Sequence, residues 1–407
     1  PAVKSDLVPT MSKDTESFLR YVPPMGIYET LYAFQDAFGS PMGEPETHPW
    51  SQGFPLTCQL PGGPKMPTNV HLDAGDLKYP KAWGLPELRE AIAGYYNHYY
   101  EADIDYENVM VFAGGRPGLV ALLMFLQKDI HIRIASTEYT PYYDMLRMLQ
   151  RKYSLVDSNT DNHFSPSIDD YLNTNDAVRT MVMLSNPCNP TGITRSEDEL
   201  KSIVEKASYG LFGLLVDEAY ELFHDPPTCA LAYMDDINNS NLFISGAATK
   251  GLQAPGIRIG WVVAARRYIE ILGNFSSFGM GGVSRPSQLY ALELLQQERT
   301  DLAHKAIPEF YAGQRQRYGD AFADLGLDLF SGDGGFYHWC RLPGELTAAE
   351  LNSRLFKYGA AILKGTDCDM ARQEDNSPLR QFFRFSFGPL LPESFESDIE
   401  FLRMALS

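Results

Sequence analysis

The middle of the chain alternates short apolar runs with longer amphipathic stretches. Most of the runs are apolar at every position, which is typical of strands that helices cover on both faces. They are NVMVFA (108–113), HIRIAS (131–136), TMVMLS (180–185), GLFGLLV (210–216), NLFIS (241–245) and IRIGWVVA (257–264). Strand–helix alternation predicts an α/β fold around a mostly parallel sheet. The last run leaves little room for a preceding helix, so we expect it to be antiparallel.

The two ends of the chain follow a different pattern. Residues 1–65 are rich in proline and glycine and predict an arm and connecting loops, with one helix over 27–39. Beyond residue 296 the pattern predicts a long helix and then strands of another sheet, GGFYHWCRL and QFFRFSFG. We therefore predict an arm with part of a small domain (1–65), a large domain (66–295) and a small C-terminal domain (296–407), the small domain being built from both chain ends.

Charge and composition exclude several classes of partner. The formal net charge is −18, whereas a nucleic acid or an anionic membrane requires a basic face. The longest apolar run, 119–126, is far short of the roughly 20 residues that span a bilayer. No apolar leader is visible, and the five cysteines are scattered. We expect a cytoplasmic protein with no disulfide framework and no metal site.

Ligands bind beyond the carboxyl ends of parallel strands, so the residues that follow each strand are the candidates for chemistry. After 108–113, Gly114-Gly115-Arg116 opens a helix whose free N–H groups suit a phosphate, although such a pair is more often only a turn. After 180–185, two Asn-Pro steps hold the Asn189 amide, or simply fix a turn.

The next two strand ends carry charged side chains. Asp217 ends a buried strand, where a carboxylate is costly unless a cation meets it, and capping of a helix is the alternative. Lys250 follows 241–245 among small residues, a position that favours deprotonation and attack on an aldehyde. Arg258 comes eight residues later and is a candidate clamp for a phosphate.

Five motifs in order carry a resemblance to a known family. The stretches YPKAWGLPELREAI (79–92), SNPCNPTG, VDEAY, TKGLQAPGIRIGW and FFRFSFG (382–388) resemble the class I/II aminotransferases. The resemblance covers roughly residues 60–390. It implies a seven-stranded, mostly parallel sheet flanked by helices, the cofactor pyridoxal 5′-phosphate (PLP), and a homodimer with active sites at the interface.

The resemblance also implies a role for each matching residue. Lys250 forms a Schiff base with PLP, Asp217 pairs with the ring nitrogen, and Tyr220 and Asn189 bond the ring's phenolic oxygen. The substrate carboxylate is held by Arg384, with the Gly62 backbone and Asn189 nearby. The remaining cofactor contacts are Tyr139 on the ring face, and Gly115, Arg116, Thr249, Arg258 and the partner's Tyr79 at the phosphate.

Three positions leave alternatives open. Ala247 stands where the family usually has a serine, so Thr249 must compensate at the phosphate. The Arg116 side chain either touches the phosphate or points to solvent. Arg285 either binds a second carboxylate of the substrate or forms a salt bridge at the dimer interface, which is the commoner role for such a residue.

The expected reaction is transfer of an amino group from an L-amino acid to a 2-oxo acid. The alternative is a relative that uses the same quinonoid intermediate for elimination, cyclisation or oxidation of an amino acid in a biosynthetic pathway. A non-catalytic PLP-binding regulator is a third possibility, which the retained lysine and carboxylate clamp disfavour. The candidates for side-chain specificity lie within residues 15–40 and are Glu16, Phe18, Arg20, Tyr21, Tyr28, Glu29 and Tyr32.

Overall fold

A seven-stranded sheet forms the centre of the computed structural model, which describes residues 18–19, 21–174 and 178–407. Its strands are β1 (Val109–Phe112), β2 (His131–Ala135), β3 (Tyr153–Val156), β4 (Thr180–Ser185), β5 (Phe212–Asp217), β6 (Leu242–Ala247) and β7 (Gly260–Ala264). They lie in the order β1-β7-β6-β5-β4-β2-β3. The predicted α/β class and mostly parallel sheet are confirmed.

All six apolar runs are strands, and the expectation for the last run is correct. β7 pairs antiparallel with both β1 and β6, whereas β2 to β6 run parallel to one another. The sheet has one strand more than the six apolar runs, β3, which the apolar pattern does not predict. The amphipathic pattern of residues 143–153 predicts a helix, but the helix ends at Met148, and Tyr153 begins β3.

Helices cover both faces of this sheet. Along β5, Leu214 and Val216 enter one apolar cluster and Leu215 enters another on the opposite face, so both faces are buried. The helices of the chain are α1 (Ile27–Phe38), α2 (Pro86–Tyr100), α3 (Gly115–Phe125), α4 (Thr140–Met148), α5 (Ile168–Leu172), α6 (Glu197–Ala207), α7 (Arg266–Leu272), α8 (Arg285–Leu294), α9 (Gln297–Asp324), α10 (Ala348–Leu355) and α11 (Phe395–Leu406).

A second, antiparallel sheet lies in the C-terminal part of the chain. Its strands are β8 (Asp328–Leu329), β9 (Tyr337–Arg341), β10 (Leu363–Lys364) and β11 (Phe382–Ser386), in the order β10-β11-β9-β8. Trp50, Leu56 and Leu60 share its apolar cluster with Phe385 and Leu402. Residues near both chain ends thus pack together, while the domain boundaries at residues 65 and 296 remain predictions.

Backbone hydrogen bonds join the loop after β4 to the segment before β9. Gly332 N–H donates to Thr191 O, and Gly334 N–H donates to Gly192 O, each at 2.8 Å. A Cβ on Gly334 would overlap the Thr194 side chain, so the two segments approach as closely as they do because no side chain separates them. This pair of bonds, the glycine seam, connects the two sheets beside the carboxyl ends of β4 and β5.

Among the helices of the described residues, none combines the length and apolar character needed to cross a lipid bilayer.

Candidate active site

Lys250 and Asp217 line the same cavity at the carboxyl edge of the seven-stranded sheet. Asp217 is the last residue of β5, and Lys250 follows the end of β6, the adjacent parallel strand. The cavity has a volume of about 230 Å³. Its wall includes most of the predicted site residues, namely Gly115, Arg116, Tyr139, Asn189, Asp217, Tyr220, Thr249, Lys250 and Arg258.

The Lys250 amine lies in a setting that favours its neutral form. Burial, together with the nearby cations Arg116 and Arg384, lowers its pKa to about 7. Its Nζ donates a hydrogen bond to the Gly53 carbonyl oxygen. An amine with this pKa is substantially unprotonated near neutral pH and therefore nucleophilic.

Asp217 is a buried acid, and burial raises its pKa. The hydroxyl of Tyr142 donates to Oδ2 at 2.8 Å and the Ala219 N–H donates to Oδ1 at 3.2 Å, and both bonds favour the ionised form. Tyr142 was not among the predicted site residues. It follows Tyr139, the N-cap of α4, by three positions, and the two rings meet edge to face with their centroids 5.1 Å apart.

Two tyrosine hydroxyls meet at the opposite wall. Tyr220 and Tyr337 share a hydrogen bond, and burial raises the pKa of Tyr220 well above its ordinary value. Both side chains are buried. Tyr337, the first residue of β9, was also not predicted as a site residue, because an aromatic residue in a strand usually belongs to the hydrophobic core.

One end of the cavity suits an anion. α3 begins at Gly115, and its N-cap, Gly114, supplies no side-chain hydrogen bond, so backbone N–H groups are left for a ligand. Gly114 has a φ of 103°, and a Cβ there would overlap the Arg258 guanidinium. A Cβ on Gly260 would meet the backbone of Gly114 and Gly115. The glycines therefore let strand, helix start and guanidinium converge.

Arg258 and Arg116 both face this end. Arg258 Nη1 donates to Pro255 O at 2.7 Å, and Arg116 Nε donates to the hydroxyl of Tyr139 at 3.0 Å. Among the described residues, no ion pair includes either guanidinium. Thr249 lines the cavity beside Ala247, which has no hydroxyl to offer. Two cations with no acidic partner fit a phosphate.

A third guanidinium, that of Arg384, is buried on the other side of Lys250. Its Nη1 donates to Asn189 Oδ1 at 2.8 Å and its Nη2 donates to Ser51 O at 2.7 Å. The plane lies over the Tyr337 ring, 4.2 Å from the centroid. Among the described residues nothing accepts a hydrogen bond from its Nε. A buried guanidinium with a donor to spare fits a carboxylate.

A second cavity, of about 450 Å³, continues from Lys250 and Arg384 toward α1. Apolar side chains of Met25, Ile27, Leu31 and Leu363 contribute to its wall, as does the ring of Tyr28. Of the specificity candidates in the N-terminal segment, Tyr28 faces this cavity, Glu29 is bonded to Lys364, and Phe18 and Tyr21 are exposed. Glu16 and Arg20 lie outside the described residues.

Three predicted residues lie elsewhere. Gly62 is exposed on a turn closed by the bond from Gly63 N–H to Leu60 O, and of the two cavities described, neither has it in its wall. Gly53 does line both cavities, and its carbonyl oxygen accepts the hydrogen bond from Lys250 Nζ. Tyr79 is 93% exposed. Arg285 forms a salt bridge, as in the second alternative for it, but with Asp76 of the same chain.

A group of acids is buried behind the cavity. Glu221 accepts hydrogen bonds from the hydroxyls of Tyr95 and Tyr100. Burial raises the pKa of Glu221 to about 7 and that of Glu218 to about 8, so both carboxyls retain a proton well above their ordinary range.

Known proteins share both the sequence pattern and the fold. The family model described as aminotransferase class I and II matches residues 52–394. Aspartate aminotransferase of Pyrococcus horikoshii is 25% identical over 351 residues, which are 84% of this chain and 85% of that protein. Valine–pyruvate aminotransferase of Mycobacterium tuberculosis is 28% identical over 334 residues, 79% of this chain and 81% of that protein. The solved structure of Thermus thermophilus aspartate aminotransferase with maleate superimposes with a TM-score of 0.72 at 22% identity, covering 81% of this chain and 84% of that one.

Proposed function

The chain belongs to the class I and II aminotransferase family, and from that premise we propose that Lys250, Asp217 and Tyr220 form its catalytic centre. The enzyme transfers the amino group of an L-amino acid to a 2-oxo acid. The observation that carries the assignment is the convergence of Lys250, Asp217 and a pair of unpaired guanidinium groups on one cavity, with a third guanidinium beside it.

Members of this family use PLP, and the residues of the cavity fit that cofactor. The N–H groups at Gly115 and Arg116, the hydroxyl of Thr249 and the Arg258 guanidinium would hold its phosphate. Asp217 would pair with the protonated ring nitrogen, and Tyr139 would stack on the ring face. When bound, PLP supplies an electron sink for the substrate's Cα.

The remaining chemistry belongs to the chain. The hydrogen bonds from Tyr142 and Ala219 favour the ionised form of Asp217, which would pair with the protonated ring nitrogen. Tyr220 and Asn189 would donate hydrogen bonds to the ring's phenolic oxygen. Lys250 Nζ would hold the cofactor through its aldehyde carbon and, once free of it, would move the proton at the substrate's Cα.

Arg384 would fix the α-carboxylate through its free Nε and its Nη groups, assisted by Asn189. We move the backbone contact expected of Gly62 to Gly53, whose carbonyl already meets Lys250. A carboxylate and a phosphate held at opposite ends set the orientation of the bond at Cα, so geometry selects deprotonation. The relatives are named for aminotransferase reactions, which disfavours the alternative of elimination, cyclisation or oxidation.

Exposed side chains support a homodimer. Tyr79 is exposed together with Leu72 and Leu77 on one segment, and we infer that this segment contacts a second copy, with Tyr79 reaching the partner's phosphate site. All five cysteines are free, which is usual in a reducing compartment, and we propose a cytoplasmic enzyme of amino acid biosynthesis.

The decisive experiment uses the cofactor-loaded enzyme and a panel of L-amino acids with a 2-oxo acid acceptor. We expect new amino acid to form from the acceptor, and we expect borohydride to fix PLP to the wild-type chain but not to Lys250→Ala. Release of ammonia or of a cyclic product in place of amino transfer would overturn the reaction. Fixation of PLP to the Lys250→Ala protein would overturn the assignment of Lys250 as the residue that forms the Schiff base.

A further inference from the structure

Glu138 is a buried acid three residues beyond the end of β2, and it is 2% exposed. Its two oxygens accept hydrogen bonds from two different segments. Tyr139 N–H donates to Oε2 at 2.7 Å, and Ser185 N–H donates to Oε1 at 2.9 Å. The Ser185 hydroxyl donates to Oε2 at 2.9 Å. The carboxylate therefore joins the β2–α4 junction to the end of β4.

Nothing positive balances this charge. Of the ion pairs among the described residues, none includes Glu138, and the charge that faces it is the like charge of Asp217. Burial raises the pKa of Glu138 to about 7. Burying an acid without a cation is costly, and a neutral side chain would fill this volume at lower cost in stability. The acid therefore contributes something other than packing.

Both segments that Glu138 joins lead to the proposed active site. Tyr139 lines the cofactor cavity and accepts a hydrogen bond from Arg116. The Ser185 hydroxyl accepts from Asn189 N–H at 3.2 Å, and Asn189 Oδ1 accepts from Arg384 at 2.8 Å. One carboxylate thus lies between the ring-face tyrosine and the residues proposed to hold the substrate carboxylate.

The same segment is also bonded to the C-terminal part of the chain. Glu138 N–H donates to Cys368 O at 3.2 Å, and Met370 N–H donates to Ser136 O at 2.9 Å. Thr137 forms an isolated bridge with Asp369. The backbone of Glu138 is therefore held from one side while its carboxylate holds β4 from the other.

We propose that Glu138 is a positioning residue that holds Tyr139 and Asn189 in register, so that the ring face and the α-carboxylate clamp are set together. The inference rests on the proposed function, because it takes Tyr139 as the ring-stacking residue and Asn189 as part of the clamp. Glu138 itself touches neither ligand. It acts through hydrogen bonds to its two neighbours.

The test compares Glu138→Gln and Ser185→Ala in the cofactor-loaded enzyme. Gln keeps the shape but has only one acceptor oxygen. An NH₂ group in place of Oε2 loses the bonds from Tyr139 N–H and the Ser185 hydroxyl, and one in place of Oε1 loses the bond from Ser185 N–H. We expect the Kd for PLP and the KM for the amino acid each to rise about tenfold, with a changed visible circular dichroism of the bound cofactor. Ser185→Ala keeps the Tyr139 bond and removes only the branch to Asn189, so it should raise KM and should raise the PLP Kd less than Glu138→Gln does.

Asp398→Asn is the matched control. Asp398 is 1% exposed and accepts hydrogen bonds from Trp50 and Tyr318, which belong to the apolar cluster of the four-stranded sheet. It should lower the melting temperature without changing PLP binding, dichroism or KM. Equal effects of Glu138→Gln and Asp398→Asn on these readouts, or no effect of Glu138→Gln, would overturn the proposal. If Glu138→Gln does not fold, the KM of Ser185→Ala decides it.

The PLP Kd and the dichroism do not depend on turnover. A wild-type enzyme that exchanges no amino group would refute the proposed function, while these two readouts would still show whether Glu138 positions Tyr139.

Discussion

The hydroxyl of Tyr142 lies 2.8 Å from Oδ2 of Asp217 and donates a hydrogen bond to it, one helical turn beyond Tyr139. The bond opposes the effect of burial, which raises the pKa of Asp217. The acid at the centre of the site therefore depends on a neutral side chain for its charge.

Tyr142→Phe should impair the reaction without unfolding the protein. Losing the donor raises the pKa of Asp217 further, so less of it is ionised to pair with a ring nitrogen, and kcat should fall by about tenfold. Steady-state kinetics with the cofactor absorbance spectrum measure this. Tyr311→Phe is the control. The Tyr311 hydroxyl donates to Gly388 O in the apolar cluster of the four-stranded sheet, so its loss should leave kcat unchanged. A Tyr142→Phe enzyme with wild-type kcat and spectrum would contradict the role.

Gly114→Ala should weaken cofactor binding. The residue has a φ of 103°, and its new Cβ would overlap the Arg258 guanidinium, so helix start and clamp cannot both keep their places. We expect the Kd for PLP to rise about 10- to 100-fold in a titration. Gly313→Ala on α9, where nothing lies within 4 Å, should leave it unchanged. Tight binding by Gly114→Ala would show that this end does not hold the phosphate.

Arg285→Gln should not alter the preference between dicarboxylic and monocarboxylic substrates. Its guanidinium is bonded to Asp76, so the substitution breaks a structural ion pair and should cost little stability. The ratio of kcat/KM for the two substrate classes measures this, and Asp76→Asn should resemble Arg285→Gln. A selective loss of kcat/KM for dicarboxylic substrates in Arg285→Gln, but not in Asp76→Asn, would show instead that Arg285 binds the substrate.

Glu221→Gln should change how stability depends on pH. The folded-state pKa of Glu221 is about 7 and its ordinary value is 4.5, so the folded state binds more protons between these values. Its stabilising contribution is complete below pH 4.5 and is lost as pH rises through 7, by on the order of 3 kcal/mol. Gln accepts the same tyrosine bonds without ionising.

The melting temperature of Glu221→Gln, relative to wild type, should therefore be higher at pH 9 than at pH 5. Thermal unfolding of both proteins across this range measures it, with the exposed Glu90→Gln as the control. A difference between mutant and wild type that is constant with pH would contradict the burial of an ionisable carboxyl at 221.

Strand and motif patterns in the sequence were sufficient to predict the fold class and most of the residues that line the cavity. Lys250, Asp217 and Asn189 each follow an apolar strand, and the edge of a parallel sheet brings such residues together whatever lies between them. β3 was missed because YSLV directly follows a long amphipathic stretch, and its β-branched and aromatic content is too slight to separate it from the helix.

The residues that were misplaced or missed depend on contacts between distant segments. Gly62 and Gly53 both lie in a segment without periodicity, so only the packing of that segment against Lys250 distinguishes them. Tyr337 and Glu138 look in the sequence like a core aromatic residue and a loop acid. Their roles come from partners 117 and 47 positions away, Tyr220 and Ser185 respectively.

The glycine seam has a consequence for how the enzyme can move. Its bonds link main-chain atoms of Thr191 and Gly192 to Gly332 and Gly334, so the stretch that carries Asn189 is tied to the body that carries Arg384. The Asn189 amide and the Arg384 guanidinium therefore cannot separate without breaking these bonds or bending the short stretches of chain between them.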